Sequence, residues 1–355
     1  MEAIQAAPRV AIDTEFHAER RYLPELFLLQ FAFDDGTSFV VDPQTVDLAP
    51  LGPILTEASC LVHAGQQDFA ILWRECEARP TDVFDVQIAA GMLGMGYPTR
   101  LEDVVRQTLD VPLPASATLS DWSTRPLSKR QIAYAISDVT VLIELSKALT
   151  KALDEQGRLK WARQASSAMA AAAQRRPTVD HRWAGWEIAS NMTESTVSVM
   201  TNLYAWRDQK GRDKNQPAMY MLSDGLALDI ARRQPKTLEE LASNRRIPQG
   251  LIRKFGREIV AVVRESLVTP TVPPFIPSTE ELHRAKGLEL WALAEGKRLR
   301  IAPNLLLPQR IAFEVVSEGM KALDGWRAEA IGDSLGAFMA GQTSIRMEST
   351  GPVVA

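Results

Sequence analysis

The chain of 355 residues has only two cysteines, Cys60 and Cys76. That excludes a disulfide framework and a cysteine-based zinc site. Histidine is scarce as well. His17, His63, His181 and His283 are scattered, so no histidine-rich metal centre is expected. No run of about 18 uninterrupted apolar residues occurs, so no transmembrane helix is expected. The opening MEAIQAAPRV has no basic stretch followed by an apolar one, so no secretory signal is expected. These absences point to a reduced, cytoplasmic setting and to no membrane partner. A large excess of one charge is also missing: the net charge is −4, which argues against a generic nucleic-acid binder. What remains is 46% hydrophobic and 24% charged, an ordinary globular composition of a length for two or three domains.

The near-neutral total conceals a split. Residues 1–150 carry 11 Lys and Arg against 21 Asp and Glu, whereas residues 151–355 carry 29 against 23. Two surfaces that merely differ would explain this. So would an acidic front half that does chemistry with carboxylates and a basic back half that holds a polyanion.

The front half mixes strands and helices. Residues 9–16 (RVAIDTEF) and 26–33 read as strands, and the turn Asp34-Asp35-Gly36 leads into 37–41, a hairpin pattern. A short strand at 61–63 precedes Gly65 and a helix over 68–75. Further helices are expected over 85–93, 101–109 and 128–151, the last capped by Ser128. That order implies a mixed α/β or α+β domain of about 150 residues.

The back half has no strand pattern. Residues 153–174 read as a connecting helix, broken at Arg175-Arg176-Pro177. Helical blocks follow over about 193–267 and 278–339, separated by the proline-rich TPTVPPFIP. Trp206 and Gly211 recur as Trp291 and Gly296, 85 residues later. Leu222, Leu226 and Ile230 meet Leu307, Ile311 and Val315 at the same offset, which suggests two copies of one bundle. Residues 341–355 are small and polar and are expected to fray.

Four carboxylates stand out. Asp13 and Glu15 lie two apart, on the same face of an otherwise apolar strand. They are either a cation site or the end of a strand leaving the core. Asp68 follows a glycine turn, where an acid also suits a helix start. Tyr134 and Asp138 lie four apart on one helical face, a cluster or simply a core-edge pair. Together the four select hard divalent cations, Mg²⁺ or Mn²⁺. Two such ions activate water and stabilise a leaving 3′-oxygen in phosphodiester hydrolysis. Asp85 reads better as a helix cap than as a ligand. Arg125 suits a phosphate contact or an internal ion pair.

The order Asp-x-Glu, Asp, Tyr-x-x-x-Asp resembles the DEDDy group of 3′–5′ exonucleases. The surrounding words resemble the ribonuclease D family: VAIDTEF, HAGQQD, DVQIAAGMLG and DWSTRPLSKRQIAYAISDV. The first helical block resembles an HRDC domain, in NLYAWRDQKGRDKNQP and RKFGREIV, and the second a diverged copy. The resemblance covers about Arg9 to Met339. Ser137 stands where small apolar residues are common, a departure that leaves the ligands in place.

The resemblance implies α/β plus all-α architecture: a ribonuclease H-like exonuclease domain with a mixed sheet, then two HRDC-like bundles. The expected limits are 1–165 for the exonuclease domain, 166–193 for a connecting helix and linker, and 194–270 for the HRDC domain. They continue with 271–277 for a linker, 278–340 for the second copy and 341–355 for a tail. It implies Asp13, Glu15, Asp68 and Asp138 as ligands of two divalent ions and Tyr134 as the fifth catalytic residue. It also implies RNA, chiefly 3′-extended tRNA precursors, as partner of a monomeric exoribonuclease that releases nucleoside 5′-monophosphates. Two rivals are a DNA exonuclease on the same fold and an inert RNA-binding scaffold. Residues 195–270 hold 13 basic and 8 acidic residues. Arg207, Lys210, Arg212 and Lys214 there, with Arg125, are candidate RNA contacts. Lys297, Arg298 and Arg300 are expected to form a weaker patch.

Overall fold

The computed structural model describes residues 2–7, 9–113, 120–175, 179, 182–273, 275–323 and 325–355. Two compact units emerge. One is built from Met1–His17, Leu26–Arg176 and Arg284–Ala355, the other from Ala18–Glu25 and Pro177–His283. No described helix is long and apolar enough to cross a membrane.

The first 175 residues supply α1 (Glu2–Ala6), β1 (Val10–His17), β2 (Glu25–Phe33), β3 (Ser38–Val41), α2 (Leu51–Glu57), β4 (Ser59–Val62) and α3 (Gln66–Cys76). They continue with β5 (Asp82–Asp85), α4 (Val86–Met92), α5 (Leu101–Leu109), α6 (Lys129–Glu155) and α7 (Leu159–Ala173). The sheet order is β3-β2-β1-β4-β5. β1 pairs parallel with β4, and β4 with β5, while β2 and β3 form the expected antiparallel hairpin. The sheet is therefore mixed. Side chains alternate across it. Ala11, Leu61 and Phe84 point toward α4, α5 and α6, while Val10, Ile12, Cys60, Val62 and Val83 join α2 and α3 in a second core. β2 is buried on both faces, hence its continuous apolar run.

Helix α6 begins at a capping box. The Ser128 hydroxyl accepts from Gln131 N–H and the Gln131 side chain accepts from Ser128 N–H. Gly157, at φ +69°, breaks the chain between α6 and α7. α7 falls in the expected connecting region but packs on the sheet, with Ala162 and Ala165 in one core and Ala170 and Ala173 in the other. The expected break at 175–177 includes Arg176 and Pro177, which lie outside the described residues.

The second unit holds α8 (Glu194–Lys214), α9 (Ala218–Met221), α10 (Asp224–Arg233), α11 (Leu238–Ser243) and α12 (Gln249–Val268). Its core gathers Trp183, Leu203, Tyr204, Ile230, Leu241 and Ile259. α13 (Thr279–Leu299), α14 (Pro303–Leu306), α15 (Gln309–Glu318) and α16 (Gly325–Met339) follow. The first three of these repeat α8, α9 and α10 with both ends of every helix 85 residues on. A common constraint explains the paired glycines. A Cβ on Gly211 would lie 2.8 Å from the Gln216 carbonyl oxygen, and one on Gly296 would lie 2.7 Å from that of Ile301. In both copies the chain turns back over the helix through a left-handed residue, Asn215 at φ +48° or Arg300 at φ +53°. Beyond α10 and α15 the copies diverge.

From Arg284 onward the second copy belongs to the first unit, so the expected limits at 165, 194 and 278 do not coincide with the compact units. The reason is a shared apolar core. Leu288, Trp291, Leu305, Leu306 and Val315 cluster with Val86, Ile88, Val104 and Leu149. Ala302 N–H donates to the Gly91 carbonyl at 2.8 Å, and the Arg158 guanidinium donates to the carbonyls of Met92, Leu299 and Arg300.

Residues 341–355, expected to fray, instead contain an antiparallel ribbon of β6 (Ile345–Glu348) and β7 (Gly351–Val354). Gly351, at φ +111°, opens the return strand, and Ile345 and Val354 pack against the core that α13–α16 share. Packing of two apolar side chains overrides a composition that reads as a tail.

Candidate active site

The parallel pairing of β1 with β4, together with α6, brings the carboxylates together. β1 carries Asp13 and Glu15 on one face at the end where its apolar run stops. α6 presents Asp138 to them. Ligand atoms of Asp13, Glu15 and Asp138 all lie within 4.8 Å of one another. Asp68, in the first turn of α3, is buried behind this trio, and its carboxylate accepts the hydroxyl of Thr14. Thr14 itself is buried on β1 between the two acids. Sequence reasoning passed over it, because a threonine in a strand carries no signal of its own. The Tyr134 hydroxyl donates to Asp138, and its ring faces Trp122 at 6.3 Å. Trp122, Phe27, Leu28 and Ala135 form the small apolar cluster that seats Tyr134.

Burial and crowding raise the proton affinity of all four acids. Burial and then the charges of Asp138 and Asp68 push Glu15 up to about 8. Burial raises Asp68 to about 6. It raises Asp138 to about 6 as well, against the Tyr134 hydrogen bond that lowers it. Asp13 is held well above its ordinary value by burial, Asp68, Glu15 and Asp138. Glu102, on the first turn of α5, adds a further negative charge near Asp138, another group the sequence did not single out. Such mutual repulsion is relieved by a proton or a cation. The donors are all carboxylate oxygens, without nitrogen or sulfur, and so fit a hard divalent ion.

Asp85 is the cap that its position suggested. Its Oδ1 accepts from the N–H groups of Gln87 and Ile88 at 2.8 and 3.4 Å, at the start of α4.

The basic candidates separate. Arg125 spends its guanidinium inside the fold. Nε and Nη2 donate to Asp42 at 2.5 and 2.9 Å, Nη1 to the carbonyls of Trp122 and Thr124, and Nη2 also to that of Phe27. All five N–H directions are thereby engaged, so the ion-pair reading describes it and the phosphate reading does not. Arg207 is a second correction. It is only 4% exposed, its guanidinium lies over the Tyr204 ring at 3.5 Å, and Nη1 donates to Asp224 and to the Leu222 carbonyl. It holds a bundle together and offers nothing to a polyanion. Lys210 pairs with Glu258 at 2.8 Å and is part-buried. Arg212 is exposed, pairs with Asp208 and donates to the Tyr22 hydroxyl at 2.9 Å. Lys214 is exposed, with its ammonium 5.9 Å from the Phe255 ring centre. In the expected weaker patch, Lys297 donates to Thr350 and Arg298 to Glu295. Trp291 is fully buried, whereas its counterpart Trp206 is part-buried and donates to Glu258.

Comparison with known proteins fits this geometry. The sequence pattern of the 3′–5′ exonuclease family matches residues 1–154, and that of the HRDC domain matches residues 197–263. The ribonuclease D of Nitrobacter hamburgensis is 31% identical over 96% of this chain and 92% of its own. That of Sphingobium indicum is 30% identical over 93% and 88%. Among solved structures, RNase D of Escherichia coli superposes with a TM-score of 0.83 at 24% identity, over 96% of this chain and 95% of its own. The catalytic core of RRP6 from Trypanosoma brucei gives 0.58 at 19% identity, over 76% and 77%. With relatives that match nearly end to end and an acidic cluster on the exonuclease sheet, the chain belongs to the ribonuclease D family of 3′–5′ exoribonucleases.

Proposed function

We propose that the chain trims nucleotides from the 3′ end of structured RNA, chiefly 3′-extended tRNA precursors, and releases nucleoside 5′-monophosphates. The observation that carries the reading is the convergence of Asp13, Glu15 and Asp138, with Asp68 buried beside them. These four residues would hold two divalent cations, Mg²⁺ or Mn²⁺. When bound, such ions supply an activated water and stabilise charge on the leaving 3′-oxygen.

The protein's own contributions follow from its side chains. Asp13, Glu15, Asp68 and Asp138 would have to be ionised to hold cations, and burial and mutual charge raise their proton affinity, so loading would be favoured as pH rises. Thr14 fixes one oxygen of Asp68. Tyr134, hydrogen-bonded to Asp138, orients the attacking water or the scissile phosphate through its hydroxyl. A tyrosine hydroxyl is a poor base at neutral pH, so it positions rather than deprotonates. Of the basic residues of the HRDC domain, taken as 194–270, the exposed Arg212 and Lys214 are the RNA contacts kept in this reading, with Lys210 beside them. Residues 278–340 are a second, diverged HRDC-like copy, and 1–165 the exonuclease domain. The enzyme works as a monomer, and its free, buried Cys60 and Cys76 suit the reducing cytoplasm.

The test is digestion of a 3′-extended tRNA and of matched single-stranded RNA and DNA, each with Mg²⁺ or Mn²⁺, beside Asp138→Ala. Metal-dependent shortening from the 3′ end, faster on RNA than DNA and lost in the variant, is expected. Equal or faster cleavage of DNA overturns the RNA assignment. Equal background rates for wild type and Asp138→Ala make the protein a scaffold.

A further inference from the structure

Asp85 has more partners than a helix cap requires. Its backbone closes β5, directly across from Val62 at the end of β4. Oδ1 accepts from Gln87 and Ile88 as a cap does, but it also accepts from Ala64 N–H at 3.1 Å. Oδ2 accepts from Gly65 N–H at 3.0 Å. The Asp85 N–H in turn donates to the buried Ser166 hydroxyl on α7 at 3.0 Å. The carboxylate is 2% exposed, so none of these donors is traded for water at low cost.

The turn it grips is under strain. Ala64 sits at φ +56°, where a residue with a Cβ is disfavoured. Gly65 is pressed against β4: a Cβ there would lie 2.5 Å from Val62 Cγ2. Helix α3 begins at the very next residue, and Asp68 stands in its first turn. A strained turn persists only where its surroundings over-determine it. Here the two oxygens of one carboxylate do so, by holding the two turn amides.

We infer that Asp85 is a positioning residue for the nuclease site, which fixes Asp68 at the metal centre by tying the β4–α3 turn to the start of α4. This rests on the assignment of Asp68 to that centre. It also accounts for the residue type. Serine, threonine and asparagine cap helices as well as aspartate does. Only a carboxylate offers two acceptor oxygens with capacity for four N–H groups.

The experiment separates the cap from the bridge. Asp85→Ser retains an oxygen for the first amides of α4 and withdraws the reach to Ala64 and Gly65. Mn²⁺ binding to the full-length protein is measured by calorimetry, and half-saturating Mn²⁺ and the RNA KM in the exonuclease assay. Residues that orient metal ligands change metal affinity by about 10–100-fold when mutated. The expected result is therefore at least about tenfold weaker Mn²⁺ binding, a matching rise in half-saturating Mn²⁺ and an unchanged RNA KM. Should Asp85→Ser not fold, Asp85→Asn, which keeps the volume and one acceptor oxygen, is read in the same way. Asp68→Asn runs in parallel and should lose Mn²⁺ binding. Wild-type Mn²⁺ affinity in Asp85→Ser, with loss in Asp68→Asn, reduces Asp85 to a cap and overturns the inference. Unchanged Mn²⁺ binding in Asp68→Asn overturns the site assignment itself, and the inference with it.

Discussion

Glu15→Gln should stabilise the metal-free protein at high pH while abolishing activity. Below about pH 4.5 Glu15 is protonated in the folded and unfolded chains alike, and its position costs nothing. As pH rises through the window from 4.5 to about 8, the unfolded chain releases the proton and the folded chain retains it. Stability is therefore lost with rising pH, and the loss is complete above about pH 8. Each tenfold change in proton affinity is worth about 1.36 kcal/mol, which sets a ceiling of about 5 kcal/mol. The side chain is only part-buried and its neighbours share the strain, so about 2–3 kcal/mol is the working figure after screening. A neutral amide of the same shape escapes that cost. At about 2–4 °C per kcal/mol for a unit of this size, the variant should melt about 4–12 °C above wild type at pH 9 in EDTA, and close to it at pH 5. Saturating Mg²⁺ should restore the wild type at pH 9 and help Glu15→Gln much less. Thermal melts by circular dichroism across pH 5–9 decide the matter. A wild-type melting temperature that is flat with pH in EDTA, or a variant no more stable at pH 9, would refute the electrostatic account of the cluster.

Other expectations follow from single contacts. Tyr134→Phe should lower kcat by about 10²–10⁴-fold and retain Mn²⁺ binding in calorimetry. Because the lost hydrogen bond had lowered Asp138, the acid limb of the pH–rate profile should also move to higher pH. Arg125→Ala removes the cation beside the part-exposed Asp42 and the donors to the Phe27 and Trp122 carbonyls, and should cost about 1–3 kcal/mol in urea unfolding. It should leave the salt dependence of RNA binding unchanged, and a reduced salt slope would return it to the phosphate contacts. Gly211→Ala and Gly296→Ala should each destabilise by about 1–3 kcal/mol, although alanine is the better helix former by about 1 kcal/mol. Equal or higher melting temperatures for either would show that the crossing backbone yields.

The carboxylates that the fold gathers were legible because their spacing follows simple periodicities: two on a strand for Asp13 and Glu15, four on a helix for Tyr134 and Asp138. Asp68 needed the family pattern, since an acid at a helix start has a bland explanation. Thr14 and the bridge from Asp85 were not legible. Their importance lies in which amide or carboxylate the sheet register places beside them. β5 escaped notice because four residues with an acid at each end make no apolar run, and pairing with β4 alone defines it. Charge counting misjudged Arg207 for a related reason, and left Arg125 open between two readings. Formal charge is visible in a sequence, but the internal partners that consume it are not. The paired tryptophans and glycines did announce the repeat, and the glycines proved the more faithful sign. Gly211 and Gly296 meet the same backbone crossing, whereas Trp206 and Trp291 differ in burial.

The apolar core that α13–α16 share with the nuclease sheet has a consequence for synthesis on the ribosome. Chains fold as units, in general from the N-terminal side as they emerge. Here the catalytic unit is interrupted in sequence, and its last segment begins at Arg284, after the whole stretch Pro177–His283. At about 5–20 residues per second that stretch delays completion by on the order of ten seconds. During the delay Val86, Ile88, Val104 and Leu149 lack the partners that later cover them. A nascent chain halted before Arg284 would carry all four candidate carboxylates on an unfinished scaffold. Translation would thus set the earliest moment at which this core can close.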